Sequence, residues 1–110
     1  MEDGDVQVYF HPNAEIRSYL TLQSITKPRV EAFAPPLDVD PDGLTAKLGT
    51  IGAQTVRELL GVPGVARIRI KPKEVRIQKT GHASWDDMEG DILRIMKRAV
   101  RKSRMHVAKR

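Results

Sequence analysis

The sequence predicts an α+β fold, a two-layer sandwich in which an antiparallel sheet of about four strands carries two helices packed on one face. Three observations predict it. Residues 6–10 and 16–22 alternate apolar and polar side chains and read as two paired strands. Residues 65–78 hold two more alternating runs separated by a proline turn, which read as a hairpin with one buried face. From Trp85 onward, apolar residues recur at helical spacing. A chain of 110 residues has room for one domain and one modest core. That domain is assigned to residues 1–103, and residues 104–110 are assigned to a flexible basic tail.

In the first strand, Val6-Gln7-Val8-Tyr9-Phe10 alternates, and His11-Pro12-Asn13 turns the chain. In the second, Ile16, Ser18, Leu20 and Leu22 alternate with Arg17, Tyr19 and Thr21. Residues 28–43 contain Pro28, Pro35, Pro36, Pro41 and Gly43, so most of this stretch should be loop, with room for a short extended piece from Val30 to Phe33. Residues 53–60 read as a helix that Gly61 can end. It could start near Leu44, although Gly49 and Gly52 predict a break. Pro63-Gly64 then turns the chain into the hairpin. There Ile68, Ile70, Val75 and Ile77 face the core, and Arg67, Arg69, Lys71, Arg76 and Gln78 face outward. Ser84 is a good N-cap, with Asp87 three residues on. Trp85, Met88, Ile92, Ile95, Met96 and Ala99 form one stripe of the last helix, which should end near residue 102.

Composition removes several function classes. The sequence has no cysteine, so it offers no disulfide scaffold, thiolate nucleophile or thiolate metal ligand. It has no apolar run of the ~20 residues a membrane span needs. Its start, Met1-Glu2-Asp3-Gly4-Asp5, is acidic where a secretory signal is basic, so a cytoplasmic protein is expected. The net charge of +5 is concentrated at one end. Residues 92–110 hold eight bases (Arg94, Lys97, Arg98, Arg101, Lys102, Arg104, Lys109 and Arg110) and no acid.

No catalytic constellation is visible. His11, His82 and His106 are far apart in sequence, and Ser18, Ser24, Ser84 and Ser103 lack a nucleophile-elbow context. Asp38-Val39-Asp40-Pro41-Asp42-Gly43 matches the first half of an EF-hand calcium loop. Gly49 stands where the bidentate glutamate belongs, however, and the preceding prolines exclude an entering helix. An acidic segment that caps the following helix is the simpler reading. Gly49-Thr50-Ile51-Gly52 is a GXXG of the kind that clamps nucleic-acid backbone in KH domains, but Ile51 is a poor residue to press against phosphates. Two helix-interrupting glycines account for it better. No cofactor is expected.

The basic residues are the candidate partner-binding set: Arg67, Arg69 and Arg76 on the hairpin, and Arg94, Lys97, Arg98, Arg101 and Lys102 on the last helix. Lys97, Arg98, Arg101 and Lys102 have no acid three or four residues earlier, so their charges are expected to be free for an outside partner. With matching register, Tyr9, Arg17 and Tyr19 should share the hairpin's outward face. Bases interleaved with aromatics suit single-stranded nucleic acid. The plainer alternative is a solvated face of a two-layer protein.

Glu58-Leu59-Leu60-Gly61-Val62-Pro63-Gly64-Val65, Ile68-Arg69-Ile70, Val75-Arg76-Ile77-Gln78-Lys79, Trp85, Ile92 and Met96 resemble the N-terminal domain of Nfu/NifU-type iron–sulfur scaffold proteins. The resemblance covers about residues 54–100, with no gap from Gly64-Val65 to Trp85. These are fold residues, so the resemblance implies architecture first. The family's cluster chemistry belongs to a separate C-terminal domain with a Cys-x-x-Cys motif, and no cluster ligand carries over to this sequence. What the resemblance implies is a stand-alone relative of the N-terminal module, non-enzymatic, that docks to iron–sulfur assembly proteins. The alternative is a nucleic-acid-binding module using the basic C-terminal helix and the outward hairpin face.

Overall fold

The computed structural model describes residues 5–108. The acidic start through Gly4, the bases Lys109 and Arg110, and the side chain of His106 lie outside what is described. The elements run β1 (Val6–Phe10), β2 (Ile16–Thr21), β3 (Glu31–Phe33), α1 (Pro41–Leu60), β4 (Val65–Lys71), β5 (Glu74–Lys79) and α2 (Trp85–Ala108). The strands form one antiparallel sheet in the order β1-β2-β5-β4-β3. The fold class is as predicted, with five strands where about four were expected. The additional strand is β3, a three-residue piece between prolines. It pairs only with β4, at the sheet's edge, where flanking prolines do least damage.

Register decides which side chains share a face, because residues directly opposite one another on antiparallel strands point the same way. Val8, Tyr19, Val75 and Ile70 are successive partners across four strands. Tyr19, Val75 and Ile70 are fully buried in the core that both helices complete. The row of Tyr9, Ser18, Arg76, Arg69 and Ala32 lies on the opposite, open face. α1 packs on β4, α2 packs on β1, and the two helices pack against each other. Leu44, Leu48, Val56 and Leu59 from α1 and Met88, Ile92, Met96 and Val100 from α2 complete the core. Each such side chain contributes about 1.5–3 kcal/mol on burial.

α1 starts where Asp40 caps it. The Asp40 side chain accepts from the Gly43 backbone N–H at 3.2 Å, and Pro41 occupies the first turn. Gly49 has φ 87° and ψ 169°, a conformation open almost only to glycine, and it kinks α1. The carbonyls freed there find donors in the loop after β2. Lys27 donates from its backbone N–H to Leu48 O and from its Nζ to Ala46 O, both at 3.0 Å. Of the two glycines expected to break this helix, Gly49 does so. Gly52 is buried within the second half of the helix, with Thr26 packed where a side chain would stand.

α2 is capped by Ser84, whose Oγ accepts from Asp86 N at 3.2 Å. It continues past residue 102 through Ala108, so residues 104–108 are helical rather than part of a tail. Tertiary contacts extend it. Ser103 is buried and donates to Ser24 O at 2.7 Å, and Arg104 pairs with Asp5 at 2.6 Å. No helix among the described residues is long and apolar enough to cross a membrane.

Candidate functional site

The structure divides the candidate basic residues between two faces. Those of α2 lie on the helical layer, and Arg67, Arg69 and Arg76 lie on the open face of the sheet. The two groups do not form one surface.

The α2 bases are mostly engaged, which corrects the expectation of free charge. Arg98 pairs with Glu58 at 2.8 Å, and Lys102 donates to Gln54 Oε1 at 2.7 Å. Glu58 also accepts from Gln54 Nε2 at 3.1 Å, so one α1 pair anchors two α2 bases. Arg94 pairs with Asp91 at 3.0 Å, and Lys97 is likewise engaged. Only Arg101 of this set is exposed with no partner among the described residues. The partners of Arg98 and Lys102 are some 40 to 50 residues away in sequence. The test for acids three or four positions earlier in the same helix could not reveal them.

The open face is different. Arg67, Arg69 and Arg76 make no ion pair or hydrogen bond among the described residues. Arg69 and Arg76 stand directly opposite each other on β4 and β5. Like charges in that position repel by a few tenths to about 1 kcal/mol. The three arginines border a depression of about 200 Å³ together with Ile16, Ala32, Ile68 and Gln78, and no acid lines it. Arg76 is half-buried, and its Nε is shielded from solvent without an acceptor. A donor left in that state costs about 1–3 kcal/mol. Glu74, two residues from Arg76 on the same face of β5, is occupied by Ser18 and Lys71.

Tyr9 joins this face as expected and is half-exposed, but Arg17 and Tyr19 do not. Tyr9 pairs with Ser18, so the odd-numbered residues of β2 turn to the helices. There Tyr19 OH donates to Glu89 Oε1 at 2.7 Å, and Arg17 donates to the same oxygen at 2.7 Å. The Arg17 guanidinium lies over Phe10 at 4.6 Å and over Trp85 at 4.7 Å. Trp85 Nε1 donates to Ala14 O at 2.8 Å. Burial, and then the Glu89 carboxylate, push the Tyr19 phenol well above its ordinary value. The cluster ties β2 to the first turns of α2 and is structural.

One pairing was not legible in the sequence. His11 Nε2 lies 2.7 Å from Ser18 Oγ, and Ser18 Oγ donates to Glu74 Oε2 at 3.0 Å. The β1–β2 hairpin brings His11 and Ser18 to one face. Ser18 is only 1% exposed and its proton points at Glu74, so the chain fastens β1, β2 and β5 together and presents no nucleophile outward. Of the EF-hand-like acids, Asp40 serves as the α1 cap, and no group of three potential metal-ligating side chains occurs among the described residues.

No protein-family model matches the sequence, and no curated protein does. Solved structures do share the fold. A Staphylococcus aureus protein, SAV1430, superposes with a TM-score of 0.62 at 14% identity, over 83% of this chain and 96% of that one. A NifU-like protein from Saccharomyces cerevisiae superposes with the same TM-score and identity, over 84% of this chain and 75% of that one. The likeness extends well beyond residues 54–100 and establishes the fold that this chain shares with a NifU-like protein.

Proposed function

We propose that this chain is a non-catalytic binding module of the cytoplasm that serves iron–sulfur cluster assembly by docking onto cysteine-bearing protein partners. The observation that carries this reading is the likeness of the whole described fold to a NifU-like protein. It agrees with the side-chain pattern at Gly64-Val65, Ile68, Ile70, Val75, Ile77 and Trp85, all of which the fold uses in its turn or its core. With no cysteine of its own, the chain would contribute contact rather than cluster ligands.

Affinity purification of the tagged chain from its own cells tests the reading. Iron–sulfur assembly proteins should be enriched over a tagged control of equal size and charge. Recovery at control level would remove the reading's functional half.

A further inference from the structure

We infer that the open face of the sheet binds single-stranded nucleic acid, with the backbone along Arg67 and Arg69, Arg76 beside it, and Tyr9 offered to a base. This inference is independent of the iron–sulfur reading. It starts from where the unspent positive charge is. On the helical layer Arg94 and Arg98 are paired with acids, and Lys97 and Lys102 are engaged in contacts of their own. Arg67, Arg69 and Arg76 are not, and no acid shares their depression. Folding has placed Arg69 opposite Arg76 and left Arg76 Nε buried without an acceptor. A bound oxyanion relieves the first penalty by screening the repulsion between the two guanidinium groups.

The spacing favours a strand of phosphates over a lone anion. Arg67 and Arg69 alternate along β4, so they stand roughly 6.6 Å apart, two strand residues. That is close to the step between successive phosphates of an extended single strand. Tyr9 lies in the same cross-strand row as Arg76 and Arg69, two strands from Arg76, or roughly 10 Å. An arginine side chain and the base of a bound nucleotide together span that gap. Tyr9 is 53% exposed, and its ring meets His11 at 4.8 Å in a T-shaped contact that steadies it as a stacking platform. The face belongs to a five-stranded sheet, broader than the helix or two-stranded ribbon that a duplex major groove admits, so the occupant is single-stranded.

Fluorescence anisotropy with labelled oligothymidylate and oligouridylate tests the inference. The wild-type chain should bind at low salt, with log affinity falling against log salt at a slope of about −2 for three phosphate contacts. The exposed double variant Arg67→Gln/Arg69→Gln should retain its melting temperature and lose most binding, with the slope shrinking to roughly −0.7. Tyr9→Ala should weaken binding about fivefold or more and leave the slope unchanged. Arg101→Gln, on the helical layer, should change nothing. Absence of binding at low salt would overturn the inference, as would equal weakening by Arg101→Gln. Binding of poly-glutamate as tight as that of the oligonucleotides, and insensitive to Tyr9→Ala, would also overturn it by assigning the face to acidic peptides.

Discussion

At the scale of single residues, the Arg17–Tyr19–Glu89 cluster shows what one position of register decides. Arg17 and Tyr19 were expected on the outward face, but the alternation at 16–22 does not enforce that parity, because both sets contain apolar or aromatic members. Ser18, Leu20 and Ile16 form one set and Tyr19 with Arg17 the other. Tyr19 is the larger apolar body and its hydroxyl finds Glu89 on α2, so the core takes the odd set. A partner 70 residues away cannot be read from the strand alone. The cluster has a pH signature. The Tyr19 phenol is raised in the folded state, so the unfolded chain releases its proton first, and stability declines as pH rises above about 10. Tyr19→Phe should cost about 1 kcal/mol at neutral pH by deleting the bond to Glu89. It should also flatten the decline above pH 10. Denaturant unfolding of both proteins at neutral and alkaline pH checks the two effects together.

At the scale of elements, local chemistry made the hairpin and α2 legible and left α1 and β3 partly hidden. Ser84, Trp85 and the stripe through Ala99 specify α2 without outside help, and only its last turns depend on Ser24 and Asp5. α1 is instead built in two halves about Gly49, and the loop residue Lys27 supplies donors for the first half's end. The break itself is visible in the sequence as Gly49. The repair is not, because Lys27, which keeps residues 41–48 helical, comes from a loop some 20 residues away. Gly49→Ala should therefore destabilise by about 1–3 kcal/mol, the cost of holding a side chain at φ 87°. Asp40→Ala should cost about 1 kcal/mol through loss of the cap. Thermal denaturation of the two variants should order them in that sense. Gly64→Ala should be more damaging still. Gly64 has φ 98°, and an added Cβ would sit 2.7 Å from that of Ala83 and 2.9 Å from the Met88 sulfur, forcing the β4 entrance away from α2.

At the scale of the whole molecule, the question is how the net positive charge is distributed once the chain is folded. The concentration of bases in residues 92–110 pointed to α2 as the working surface. Folding shifts that emphasis, because α1 brings Glu58 to Arg98, while the three arginines of the open face have no counter-charge among the described residues. The Arg98–Glu58 pair is about a third exposed on each side, so a double-mutant cycle should assign it no more than about 1 kcal/mol. Its consequence is to remove charge from the surface, more than to stabilise the fold. The layers, the β4–β5 hairpin, α2 and most of the core were legible because they follow from periodicity. The candidate site was legible only in part, since a free charge is defined by what folding fails to bring near it.

The proposed role, a non-catalytic docking module for iron–sulfur assembly, requires direct contact with a scaffold protein. The most direct measurement is an NMR titration of the isotopically labelled chain with a purified scaffold domain carrying a Cys-x-x-Cys motif, in its cluster-free and cluster-loaded forms. Docking should produce saturable amide shift changes confined to one contiguous surface in at least one form. A spectrum unchanged by excess of both forms would contradict it.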